Sequence, residues 1–124
     1  MNKKHITHGK LKVFMILFLA VILIVLVVVC AKKIKLSQNE KNIIGTWKNS
    51  NSENVITVQD SDTLILYNDI PEAGLYHGNA SYHFSYTDTI CVTQDDISAE
   101  FCVDVDENKL IIYFAGQVYL VLQK

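Results

Sequence analysis

The chain has 124 residues, half of them hydrophobic, and a formal net charge of −2 that is divided unevenly. Residues 1–35 carry seven lysines and no acid, whereas residues 36–124 carry four lysines and all thirteen acids, a local balance of +7 against −9. An acidic C-terminal part of that sign excludes nucleic acid as a partner and is repelled by anionic lipid, while the lysines of the first part suit lipid headgroups.

Residues 1–12 form a basic tail with Lys3, Lys4, His5, His8, Lys10 and Lys12. Val13 to Ala31 comes next as nineteen consecutive residues without a charge, closed by Lys32, Lys33 and Lys35. As a helix this run reaches roughly 28 Å, close to the hydrocarbon thickness of a bilayer. A soluble helix that is apolar on every face needs a large protein around it, and about 90 residues remain here. The run exceeds the usual core of a cleaved signal peptide, about 7–15 residues, so an uncleaved signal anchor is expected although Val29-Cys30-Ala31 is an acceptable cleavage signature. Cys30 also invites comparison with an acylated lipoprotein cysteine, but the small residue wanted before it is replaced by Val29. Lysines flank the span about equally, so loop charge leaves the orientation open. A short basic tail before the first apolar run, together with a pair of cysteines in the C-terminal part, points to a cytoplasmic N-terminus and an extracytoplasmic domain.

Residues 32–42 are polar without sustained periodicity and read as a juxtamembrane linker, leaving residues 43–124 as the folded domain. From Ile43 onward apolar and polar residues alternate with a period of two, in short runs separated by Asn, Asp, Gly and Ser. Nine strands are predicted: 45–48, 54–58, 63–67, 74–77, 81–86, 89–93, 99–105, 110–115 and 118–122. Most of their connections, such as Asp60-Ser61-Asp62 and Gly116-Gln117, are too short for a parallel crossover. The expected fold is all-β, a small antiparallel meander curled into a barrel and preceded by one transmembrane helix.

One hairpin can be registered. A four-residue turn over Asp95–Ser98 sets Ile90 against Val103 and Val92 against Phe101, which places Cys91 across from Cys102 on the outer face. A cross-strand disulfide between Cys91 and Cys102 is therefore expected if the domain lies in an oxidising compartment.

Ile43-Ile44-Gly45-Thr46-Trp47-Lys48 resembles the opening strand of lipocalin-like proteins, whose Gly-x-Trp motif starts the barrel and lays the tryptophan across its closed end. With the turn at Asp60–Thr63 and the run of short strands behind it, Ile43 to Leu122 is similar to small bacterial lipocalin-like domains of unknown function. The resemblance implies structural roles for Gly45 and Trp47 and suggests carriage of a small apolar ligand as one function. The sequence departs from that family in having no arginine, so the cation that usually packs on the tryptophan is missing. The strands are also short for a deep ligand cavity, and Trp47 is expected in the core.

Recognition is expected at the longest irregular stretch, Asn68 to Ser81, where Tyr76 and His77 lie, with Tyr82 and His83 just beyond it; these four are the candidate binding residues. Asp104, Asp106 and Asn108 copy the start of a calcium loop, but Lys109 stands where its glycine belongs, so an acidic turn is expected and neither metal nor cofactor is implied. Asn79-Ala80-Ser81 is a glycosylation sequon whose meaning depends on the host. The segments 110–114 and 118–122 are apolar on both faces. One face fills the core; the other needs cover from the rest of the domain, a partner chain or the membrane. No nucleophile, base and orienting acid converge in the sequence, and a hydrolase built on His77 or His83 is the weakest reading. The expectation is a membrane-tethered binding or accessory module that contacts a protein or a small apolar ligand, and is not an enzyme.

Overall fold

The computed structural model describes residues 2–124, with side chains from Gly9 onward, so Lys3, Lys4, His5 and His8 of the basic tail lie outside the described side chains. The chain divides into two compact units, residues 1–34 and 35–124. The helix α1, Asn2–Asn42, supplies all of the described part of the first unit and the opening of the second. Residues 9–33 are exposed along it, and it is long and apolar enough to cross a membrane.

The stretch read as a linker is helical to its end. Residues 35–42 contain good helix formers, and Asn39, only 2% exposed, ties them into the second unit: its side-chain amide donates to the Thr87 carbonyl at 2.8 Å. A polar stretch shows no apolar periodicity to predict this, because the docking uses a buried amide and not an apolar stripe.

Eight antiparallel strands then form a closed barrel whose spatial order is the chain order. They are β1 Gly45–Lys48, β2 Asn54–Val58, β3 Thr63–Leu66, β4 Gly78–Tyr86, β5 Thr89–Gln94, β6 Ile97–Val105, β7 Lys109–Phe114 and β8 Gln117–Gln123. Period-two alternation does the expected work: Leu64, Leu66, Val92, Phe101, Val103, Leu110 and Leu122 face inward, all buried. Closure is slight, since β1 meets β8 at one registered pair, Lys48 opposite Gln123.

The strand expected at Gly74–His77 is absent. Pro71 begins a short 3₁₀ turn, Pro71–Ala73, and Gly74 takes a left-handed φ of 75°, so Ile70 and Leu75 pair with each other and not with the barrel. β4 starts only at Gly78.

The expected disulfide is also overturned. β5 and β6 are joined by the two-residue turn Asp95-Asp96, with Asp95 at φ 53°, and Gln94 faces Ile97. Aspartate tolerates this left-handed conformation, which permits the tighter turn. The pairing is thereby shifted by two residues, so Ile90 faces Phe101, Cys91 faces Glu100 and Cys102 faces Thr89. A shift of two preserves parity, and both cysteines remain on the outer side, but diagonal to one another and unbonded.

Trp47 is fully buried, and its indole N–H donates to the Ile43 carbonyl at 2.8 Å. The cation missing for want of arginine is supplied by Lys124, whose Nζ lies 4.9 Å from the ring centroid and donates to the Asn42 carbonyl at 3.0 Å. Gly45, at φ 138°, is favoured by its backbone conformation, and a Cβ there would also crowd the Lys124 stem, meeting its Cε at 3.0 Å. The two-faced β7–β8 hairpin buries Leu110, Ile112 and Leu122 inward, while Ile111 and Tyr113 are half-buried outward and Val118 and Val121 are more than half exposed. The rest of the domain thus leaves the outer side of β8 largely uncovered.

Two measurements check this description. Trp47→Ala is expected to cost about 3–5 kcal/mol in urea unfolding, a large share of a small domain's stability, and Lys124→Ala about 0.5–1 kcal/mol. Alkylation without reductant, read by intact mass, is expected to label Cys30, Cys91 and Cys102 alike. A species two labels short would restore the cross-strand bond.

Candidate functional site

The four candidate binding residues separate into two places. Tyr76 and His77 belong to the connection between β3 and β4 at one mouth of the barrel, whereas Tyr82 and His83 are neighbours on β4 and point to opposite faces. Tyr82 faces inward, buried, and its hydroxyl donates to the Gln59 carbonyl at 3.2 Å. Burial first, then the negative charges of Asp62, Glu40 and Asp60, push its phenol above the ordinary value. His83 faces outward, opposite Cys91. Beside them a groove of about 470 Å³ runs between the end of α1 and the β2–β3 turn, lined by Glu40, Lys41, Ile44, Asp60, Asp62 and His83 among others.

The mouth loop is the better-built site. Tyr76 is 61% exposed, yet its backbone is gripped from both sides by one amide: its N–H donates to Gln94 Oε1 at 2.8 Å, and Gln94 Nε2 donates to its carbonyl at 2.8 Å. Next to it, Asp69 Oδ1 accepts both the His77 N–H at 2.9 Å and the His77 Nδ1–H at 2.6 Å. These bonds, the backbone one foremost, hold the Asp69 carboxyl below its ordinary value. On the other side of the mouth Tyr119 donates to Glu72 Oε2 at 2.9 Å, and burial followed by that bond raises its phenol. Tyr67 and Ile97 add further exposed apolar surface at the rim. Gln94 escaped the sequence reading because nothing in a period-two strand marks its terminal amide as the partner of a backbone eighteen residues earlier.

Inside, the barrel is filled. The remaining cavity is about 20 Å³, walled by apolar faces including those of Ile56, Leu64, Ile70, Val92, Phe101 and Ile112, room for about one water molecule. Phe101 and Phe114 pack with their rings tilted by 39° at a centroid distance of 5.2 Å, and Phe114 meets Tyr119 edge-on at 6.4 Å. Asp106, at the acidic turn, spends its carboxylate on its own loop: Oδ1 accepts the N–H of Asn108 at 2.9 Å and of Lys109 at 2.7 Å, which holds it below its ordinary value.

No protein-family model, curated protein or solved structure matches this chain. The class that the fold defines is an eight-stranded antiparallel β-barrel behind an apolar helix, an architecture compatible with a lipocalin-like domain.

The Asp69–His77 contact carries a sign. Because the carboxyl's folded pKa is depressed, its support of the loop is complete above its unfolded value near ~4 and is lost as pH falls through the lower folded value. The protection factor of the His77 amide, taken against the intrinsic exchange rate at each pH, is therefore expected to fall on acidification through that window. In Asp69→Ala it should be low and flat across the same range.

Proposed function

We propose that this protein is a membrane-tethered, extracytoplasmic binding or accessory module of lipocalin-like type, anchored by residues 13–31 with its basic tail in the cytoplasm, and that it meets a protein partner through the mouth loop around Tyr76 and His77. The observation that carries this reading is the grip of Gln94 on Tyr76, which presents an exposed aromatic side chain on a fixed backbone. A pre-organised tyrosine gives up little conformational entropy on contact and buries a large amphipathic surface, the usual chemistry of a protein interface. Carriage of a ligand inside the barrel is the weaker alternative, because small-molecule sites run to about 300–1,000 Å³ and the interior holds about 20 Å³. No catalytic role is proposed for His77 or His83.

A photoreactive phenylalanine analogue placed at Tyr76 in intact cells tests the contact. It is expected to capture a discrete protein, whereas the same analogue at Tyr86, 71% exposed at the opposite end of β4, is not. Equal capture at both positions, or none at Tyr76, sinks the proposal. External protease should remove the domain and spare the tail; protection of the whole chain reverses the orientation.

A further inference from the structure

The segment Ile70–Leu75 is built unlike the rest of the domain. Ile70 N–H donates to the Leu75 carbonyl at 2.8 Å and Leu75 N–H to the Ile70 carbonyl at 3.0 Å; Ala73 N–H returns to Ile70 at 3.1 Å and Gly74 N–H to Pro71 at 3.1 Å. Among the described residues its backbone hydrogen bonds are all internal, so it forms a closed six-residue unit that owes no backbone bond to any strand. What holds it in the mouth is side-chain chemistry. Ile70 forms part of the cavity wall and Leu75 is fully buried, while the polar ties to the strands are Gln94 to Tyr76 and Tyr119 to Glu72, and Asp69 to His77 closes the base of the loop itself. Asp69, Tyr76 and His77 immediately flank the unit, and the groups making these ties are largely in contact with solvent.

We propose that Ile70–Leu75 is a plug that leaves the barrel mouth as one body, and that contact at Tyr76 releases it. The unit can move without breaking a ladder hydrogen bond, because none joins it to the sheet, whereas withdrawing any strand breaks several. Its exit removes Ile70 and Leu75 from the core and opens a wall of apolar side chains that the closed form hides. Tyr76 follows Leu75 directly, so a partner that takes over the bonds now made by Gln94 draws on the plug through one peptide unit. The device adds regulation to the proposed contact surface and rests on that reading for its trigger, but not for the plug's mobility.

The test uses the full chain in detergent micelles with Cys30, Cys91 and Cys102 changed to serine. Ile70→Cys, whose position is 7% exposed, reports plug exit by its rate of thiol labelling, and Leu122→Cys, at 2% exposed in β8, reports opening of the barrel itself. Adding Gln94→Ala is expected to raise labelling at position 70 by about tenfold or more and to leave position 122 unchanged. Labelling that rises equally at both positions means global unfolding, and no rise at 70 means a fixed wall; either overturns the plug. Should Ile70→Cys itself fold poorly, thiol labelling of Leu75→Cys, at a fully buried position of the same unit, set against Leu122→Cys with and without Gln94→Ala, gives the same decision. A released plug with no capture by the Tyr76 photoprobe would overturn the trigger alone, and capture with no release would leave the contact surface standing without the plug.

Discussion

The junction at Trp47 is the constraint on which the domain depends. One buried indole donates to the carbonyl of Ile43, where the chain leaves α1, and the lysine over its face donates to the carbonyl of Asn42. A helix C-terminus leaves carbonyls without intrahelical partners, and here two from the last residues of the helix and its exit are answered by the barrel behind it. The same contact gathers the end of α1, the start of β1 and the chain just beyond β8, which are the three pieces that a barrel with a single β1–β8 pair most needs to hold together. Gly45 completes the arrangement by leaving room for the lysine stem.

The short strands have the complementary consequence. Strands of four to nine residues close a barrel whose inward side chains meet across the middle, and Phe101, Phe114, Leu110 and Leu122 leave almost no free volume. Chemistry is thereby displaced to the rim and the outer wall. At the rim the connection from β3 to β4 is the longest in the barrel and supplies both the buried Leu75 and the exposed Tyr76, adjacent residues with opposite tasks. The outer wall keeps Val118 and Val121 in solvent, a modest apolar surface on the strand that closes the barrel.

Polar pairing decided details that apolar pattern alone leaves open. Asn39 docks the end of a helix that carries no apolar stripe, Gln94 fixes a loop across the barrel mouth, and Asp95 permits a turn two residues tighter than the one expected. The last of these separates Cys91 from Cys102. Since a pleated strand repeats every two residues, both registers bury the same kind of face, and hydrophobicity could not choose between them. The tighter turn adds a bond between Thr93 Oγ1 and Ser98 Oγ at 2.9 Å, and the observed register places Ala99 against Val92.

By itself the sequence determined the features that local pattern dictates: an apolar helix of bilayer length, eight of the nine predicted strands, their antiparallel order, the inward residues and the burial of Trp47. These depend on periodicity and on turns too short to allow any other connection. Tertiary structure decided the features that depend on partners distant along the chain. It chose Lys124 as the cation on Trp47, set the β5–β6 register and kept Gly74–His77 out of the sheet. It also placed Gln94 against Tyr76, a contact that exists only once the barrel has brought the end of β5 beneath the mouth loop. Such pairings leave no periodic trace, because each is a single hydrogen bond or a single ring contact whose geometry is created by closure of the barrel itself.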